Sequence, residues 1–197
     1  MKKEHIEAAG HFLSTYYNDL NYIRNFQRFK KGDISETDFV RKEIGTFYSF
    51  LIEFKVARNF SQGTADKLLQ ETTNWVNGKY PDNVDLFAEK LSQTDLTRGN
   101  VVTSMASKIL FLNNPCSIIP MDMLARKALN QKQNNYAMYL ANVETYRKKN
   151  KQVIDKFLMA TNSLTSIIDA EFTNEVKGLQ DIKVNRAIDK LLWTSGQ

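Results

Sequence analysis

The chain has 197 residues, of which 42% are hydrophobic and 25% are charged, which is typical of a globular protein that buries a core. Its single cysteine, Cys116, excludes a disulfide framework, and its only histidines, His5 and His11, are too few to rebuild a zinc site. We therefore expect no metal and no other cofactor. Lysine and arginine number 27 against 22 acidic residues, and this net charge of +5 favours a polyanionic partner without identifying it.

The distribution of apolar residues indicates the cellular compartment of the protein. No segment approaches the about 20 consecutive apolar residues that a membrane span needs. The N-terminus, Met-Lys-Lys-Glu-His, leads into an amphipathic segment instead of the apolar core of a signal peptide. We expect a cytoplasmic monomer that does not associate with membranes.

Only 3 prolines and 8 glycines interrupt the chain, so the intervals between breaks are of helix length and predict an all-α fold. The first helix is predicted over residues 3–31, in one piece or in two that meet near Gly10, and it ends at Gly32. Ser35 is predicted to N-cap a second helix. The buried stripe of that helix is expected to contain Phe39, Ile44, Phe47, Tyr48 and Leu51.

The middle of the chain continues the helical pattern. A third helix is predicted to begin at Gly63-Thr64 and to end at Asn77-Gly78, and a short helix follows over residues 84–91. A polar linker over residues 92–100 then leads to an apolar helix at 101–112. The apolar residues of this last helix recur at helical spacing and predict that it belongs to the core.

Pro115 and Pro120 separate that helix from the C-terminal part of the chain. A helix is predicted from about Asp122 to Leu129, followed by helices over residues 135–161, 163–177 and 181–193. The sequence thus predicts one all-α domain over residues 1–197. We expect a compact multi-helix bundle with two helical lobes and a cleft between them.

Two ionisable residues lie in apolar surroundings within the segment 99–129. Lys108 flanks the buried stripe of its helix, where its amine could reach the edge of a cleft. Asp122 falls in the first turn of a helix, where free N–H groups keep a carboxylate ionised even when water is partly excluded. From the residues alone a structural interpretation is favoured: Asp122 caps its helix and pairs with Arg126, while Lys108 extends to solvent.

The residues Ile119-Pro120-Met121-Asp122-Met123-Leu124-Ala125-Arg126 resemble a motif of the helix-hairpin-helix DNA glycosylases, in particular the 8-oxoguanine-glycosylase-like branch. In that family an apolar helix that carries a lysine precedes a Val/Ile-Pro-x-Asp-x-x-x-Arg element. The resemblance covers about 30 residues. It departs from the family where the glycine-rich hairpin is replaced by residues 96–100, and where Lys108 precedes Asp122 by only 14 residues.

The resemblance implies a DNA glycosylase that flips a damaged or modified base out of double-stranded DNA and cleaves its N-glycosidic bond. Asp122 would stabilise the sugar cation or activate the nucleophile, and Lys108 would be the candidate Schiff-base nucleophile. The role would be base-excision repair or defence against phage DNA that carries modified bases. The residues expected to contact DNA are Asn100, Ser104, Arg126 and the basic run Arg147, Lys148 and Lys149.

In a second interpretation the protein is not an enzyme. The chain could be a helical DNA-binding or regulatory module in which Asp122 serves only as a helix cap. The two interpretations differ in what the Asp122→Asn variant does, because asparagine caps a helix about as well as aspartate but cannot carry a negative charge.

Overall fold

The computed structural model describes residues 2–56 and 64–197, and all regular elements in these two ranges are helical. This confirms the predicted all-α fold. Ten α-helices and the short 3-10 helix Asp95–Thr97 occur there. The α-helices are α1 (Lys3–Lys31), α2 (Glu36–Phe39), α3 (Phe47–Glu53), α4 (Ala65–Val76), α5 (Val84–Ser92), α6 (Thr103–Asn113), α7 (Met123–Ala128), α8 (Tyr136–Lys149), α9 (Lys151–Phe172) and α10 (Leu179–Ser195).

The helices α1 and α10 form the centre of the bundle. They pack against each other, α1 also contacts α6 and α9, and α10 also contacts α7 and α9. The buried side of α1 is a stripe at helical spacing that includes Phe12, Tyr16, Ile23 and Phe26. Burial of each such apolar side chain contributes about 2 kcal/mol, and these contributions hold the bundle together.

Local signals in the sequence place several helix ends correctly. The Ser35 side chain accepts a hydrogen bond from the Asp38 N–H at the start of α2, and Asp122 does the same for the Ala125 N–H at the start of α7. The helix α1 ends at Gly32, whose φ of 83° lies in the left-handed region. It runs without a break through Gly10, so the one-piece form is the observed one.

The predicted second helix is interrupted over residues 40–46. The chain leaves α2 after Phe39 and starts α3 only at Phe47, and Ile44 between them is 89% exposed instead of buried. Within this break Gly45 adopts a φ of 83°, which a helix cannot contain, so α3 begins only after it. A Cβ atom at Gly45 would also lie 2.6 Å from Nδ2 of Asn21, so the turn fits closely against α1.

The C-terminal helices also divide at a different point. The break between α8 and α9 falls at Asn150, and α9 continues through Asn162, where the sequence predicts a boundary. The Asn150 side chain donates to the Tyr146 carbonyl and so satisfies the end of α8. Within α9, Thr161 donates to the Phe157 carbonyl, which lets a polar residue stay buried inside an unbroken helix.

None of the helices in residues 2–56 and 64–197 is both long enough and apolar enough to cross a membrane.

Candidate active site

A cavity of about 180 Å³ opens where α1, α6 and α10 meet the end of α3 and the loop before α7. Pockets for drug-sized ligands typically measure about 300–1,000 Å³, so this cavity fits a small ring or fragment. It contains both ionisable residues that the sequence singled out. The described lining residues are Thr15, Asp19, Glu53, Phe54, Lys55, Lys108, Pro120, Asp122, Arg186, Asp189, Lys190 and Trp193.

Asp122 is a helix cap and a cavity residue at the same time. Its Oδ1 accepts the Ala125 N–H at 2.7 Å, and the side chain is only partly exposed. Burial raises the pKa of Asp122, and the nearby Asp189 carboxylate raises it further, while the Ala125 N–H and the Lys108 ammonium oppose the shift. The carboxyl group is therefore held in a fixed orientation in a partly dry environment.

Lys108 reaches the cavity from α6, but its amine has a structural contact. Its Nζ donates to the Phe54 carbonyl oxygen at 2.8 Å, and Phe54 is the C-cap of α3. A positive charge at the C-terminal end of a helix is favourable, because the last carbonyl groups lack intrahelical partners. Lys108 thus ties the end of α3 to α6.

The cavity also contains a buried cluster of three charged residues. Arg186 of α10 donates through Nε to Asp19 of α1 and through Nη1 to Asp189, at 2.7 Å in both cases. The guanidinium carbon lies near the faces of the Phe54 and Phe111 rings, at 5.5 and 5.2 Å from their centroids. Burial opposes the charge on Arg186, yet the two carboxylates raise its pKa above the ordinary value, so it stays charged.

Lys190 and Trp193 complete the α10 side of the cavity. The Lys190 side chain is 16% exposed, and its Nζ lies 4.0 Å from Oδ2 of Asp189. Trp193 is half-buried and packs edge-on against His11 with the ring centroids 4.9 Å apart. An indole at the edge of a small cavity can stack on a planar ligand.

A positively charged groove adjoins this cavity. A second cavity of about 280 Å³ shares Lys55 and Lys108 with the first, and a third of about 520 Å³ continues along α7. We call the charged residues that line the second and third cavities the basic groove. All charged residues among the described linings of these two cavities are cations: Lys55, Lys108, Arg126, Lys127 and Lys132.

The predicted DNA contacts divide into two groups. Ser104 and Arg126 line the second cavity, where Ser104 Oγ donates to the Met121 carbonyl oxygen and Arg126 Nη1 donates to that of Lys132. No ion pair joins Arg126 to Asp122 among the described residues, so the pairing expected from their spacing is absent. The guanidinium of Arg126 instead holds the chain that follows α7.

The other predicted DNA contacts are not among the residues that line these cavities. Asn100 lies in a turn, where its Nδ2 donates to the Thr97 carbonyl oxygen. Arg147 donates to Asn185 Oδ1 at 2.6 Å from the last turn of α8, while Lys148 and Lys149 are exposed at the end of that helix. Asn100 directly precedes Val101, which lines the second cavity, whereas α8 contributes no described lining residue to the three cavities.

Sequence reasoning missed the residues that α1 and α10 bring to the cavity. Asp19 interrupts the otherwise apolar stripe of α1 between Tyr16 and Ile23, which was a readable signal. On α10, Arg186, Asp189 and Trp193 follow one another at helical spacing and so share one face. A charged face on a helix that is buried almost all round indicates a polar cavity or a buried ion pair.

Comparison with protein-family models, with curated proteins and with solved structures found no match to this chain. The interpretation of the cavity therefore rests on its own residues.

Proposed function

We propose that the protein is a DNA glycosylase that accepts a flipped base in the 180 Å³ cavity and cleaves its N-glycosidic bond. The observation that carries the proposal is that Asp122 and Lys108, which the motif singled out, line one cavity beside the basic groove. The role proposed is base-excision repair or defence against phage DNA with modified bases.

The reaction requires a carboxylate close to the sugar. Cleavage of an N-glycosidic bond builds positive charge on C1′ and O4′, and a fixed negative group stabilises that charge more in the transition state than in the ground state. Asp122 fits this role because Ala125 holds its Oδ1 while the carboxyl group still lines the cavity. It would stabilise the sugar cation or activate the attacking group.

The position of the basic groove supports a nucleic-acid substrate. A base that enters the cavity carries its phosphates outside it, and the adjoining surface offers Lys55, Arg126, Lys127 and Lys132 to them. Met123, which is 70% exposed, lies along the same groove. An exposed apolar side chain can occupy the space that a flipped base leaves in the duplex.

The capping contact of Asp122 favours a second candidate, a non-enzymatic helical DNA-binding or regulatory module. The 2.7 Å bond to the Ala125 N–H would account for this residue without any catalytic role. In that case the basic groove would bind DNA and the cavity would be a packing defect around the buried ion pairs.

The test is incubation of the protein with duplexes that carry a panel of oxidised, alkylated, deaminated and hypermodified bases, followed by detection of released base and of abasic sites. We expect release from at least one substrate, and a loss of at least 100-fold in the Asp122→Asn variant with DNA binding retained, because removal of one preorganised electrostatic group costs about 10²–10³ in rate. No release across the panel, together with salt-sensitive DNA binding, would favour the non-enzymatic module.

A further inference from the structure

A second amine, on α10, faces the same cavity as Asp122. Resting on the glycosylase function proposed above, we propose that Lys190, and not Lys108, is the amine that attacks C1′ of the flipped nucleotide. The chain thus places its nucleophile on α10, 68 positions after Asp122 in the sequence.

The Lys108 amine is held at the end of α3. The Lys108 Nζ donates to the Phe54 carbonyl oxygen at 2.8 Å, and attack on a sugar carbon would require it to leave the C-terminal end of α3. Such a contact stabilises the ammonium form, which has no lone pair to offer. Lys108 is therefore better suited to hold the wall of the cavity.

The Lys190 amine lies in the cavity without a close ion-pair partner among the described residues. Its side chain is largely buried, it lines the cavity, and the 4.0 Å from its Nζ to the Asp189 carboxylate exceeds hydrogen-bond distance. The Asp189 Oδ2 atom is at the same time bonded to Arg186 at 2.7 Å, so its charge is already shared. The amine is consequently not locked in a tight ion pair.

Electrostatics adds to this geometry. Burial lowers the pKa of Lys190 and the Arg186 cation lowers it further, although the carboxylates of Asp189, Asp19 and Asp122 oppose the shift. A buried lysine beside another cation is the usual way in which a protein obtains a neutral, nucleophilic amine. The pKa of Asp122 moves in the other direction, so the two groups approach each other in proton affinity.

The chemical step balances with the groups present. The Lys190 lone pair forms a bond to C1′ as the C1′–N bond to the base breaks, and the base leaves with that electron pair and one amine proton. The nitrogen lone pair then forms a C=N bond while the C1′–O4′ bond breaks. O4′ takes that electron pair and a proton from water, which leaves a protonated Schiff base on Lys190.

The experiment uses a duplex with a preformed abasic site, so that it does not depend on base release. The protein is mixed with this DNA and sodium borohydride, which reduces any Schiff base to a stable amine, and the linked lysine is mapped by peptide mass spectrometry. We expect the adduct on the peptide that contains Lys190. It should fall at least 10-fold in Lys190→Arg, whose guanidinium stays protonated, and persist in the control Lys67→Arg, an exposed position on α4 outside the basic groove.

An adduct on Lys108 or on another lysine, an undiminished yield in Lys190→Arg, or no adduct with the wild-type protein would each overturn the assignment. The variant Lys190→Met, which fills similar space without a charge, separates loss of the amine from loss of fold when both variants are compared by circular dichroism. Failure of the glycosylase proposal is a distinct outcome, because it is the absence of released base from modified duplexes. Released base without an adduct would mean that water is the nucleophile.

Discussion

The Nε atom of Arg186 on α10 lies 2.7 Å from the Oδ2 atom of Asp19 on α1, and the two side chains are 2% and 1% exposed. This ion pair joins the two central helices of the bundle at the wall of the cavity. The second bond of Arg186, to Asp189, orients a carboxylate that influences both Asp122 and Lys190. Because ions lose much of their hydration on burial, such a pair specifies an arrangement more than it adds stability.

Removal of the buried cation should destabilise the fold strongly. In Arg186→Met two buried carboxylates, Asp19 and Asp189, lose their counter-charge, so we expect the free energy of unfolding to fall by about 3–5 kcal/mol. Urea denaturation followed by circular dichroism measures this. The control Arg41→Met breaks an exposed ion pair with Asp38 and should cost less than about 1 kcal/mol. Equal effects of the two substitutions would contradict the prediction.

The stability cost of Asp122 should depend on pH. Its pKa is raised in the folded state, so the stability it contributes is fully present below its unfolded pKa and is lost as the pH rises through the folded pKa. Asp122→Asn keeps the cap and removes this loss. We therefore expect the variant to gain stability relative to the wild type as the pH rises above about 3.9, the ordinary pKa of an aspartate, until the folded pKa of Asp122 is passed. Urea denaturation at several pH values tests this, and a difference that is constant with pH would contradict it.

The contact of Lys108 with the end of α3 should contribute to stability even if the residue has no chemical role. Lys108→Met removes the hydrogen bond to the Phe54 carbonyl and should lower the free energy of unfolding by about 0.5–1.5 kcal/mol. Lys149→Met, at an exposed position, is the control and should change it by less than about 0.5 kcal/mol. A Lys108→Met variant as stable as this control would show that the contact is not made in solution.

Two glycines should respond to alanine in opposite directions. Gly10 lies inside α1 with open space around its missing Cβ, so Gly10→Ala should stabilise the protein by about 0.5–1 kcal/mol. A Cβ atom at Gly196 would overlap the Leu124 carbonyl oxygen of α7, so Gly196→Ala should destabilise by about 1–3 kcal/mol. Thermal and urea denaturation of the pair measure both effects. Opposite signs are required, and equal shifts would contradict the packing of the C-terminus on α7.

Binding of duplex DNA should weaken steeply with salt, because phosphate contacts release counterions. We expect Arg126→Gln and Lys132→Gln each to reduce the slope of log affinity against log salt by about 1. Lys67→Gln, on α4 and paired with Asp95 outside the basic groove, should leave the slope unchanged. Fluorescence anisotropy with a labelled duplex gives these slopes. A flat salt dependence in the wild type would exclude the groove as a phosphate-binding surface.

Local signals in the sequence were sufficient for the fold class and for many helix ends. Ser35 and Asp122 cap their helices, and Gly32 ends α1, because a capping side chain or a left-handed glycine acts within three residues of its own position. The same range explains why the Asp122 segment stood out, since its proline, carboxylate and apolar neighbours are adjacent in the chain. These features depend on contacts that are close in sequence.

Only the tertiary structure decided how the cavity is built. The partners of Arg186 and Lys108 are Asp19 and Phe54, which lie 167 and 54 positions away, and no periodicity in one segment reveals such a distant contact. Packing also overruled local preference where Ile44 is exposed beside the Gly45 turn and where α9 continues through Asn162. The sequence alone thus determined the fold class and many helix ends and singled out Asp122, whereas packing of α1 against α10 determined which charges surround it, because burial energy depends on residues that meet only in the folded chain.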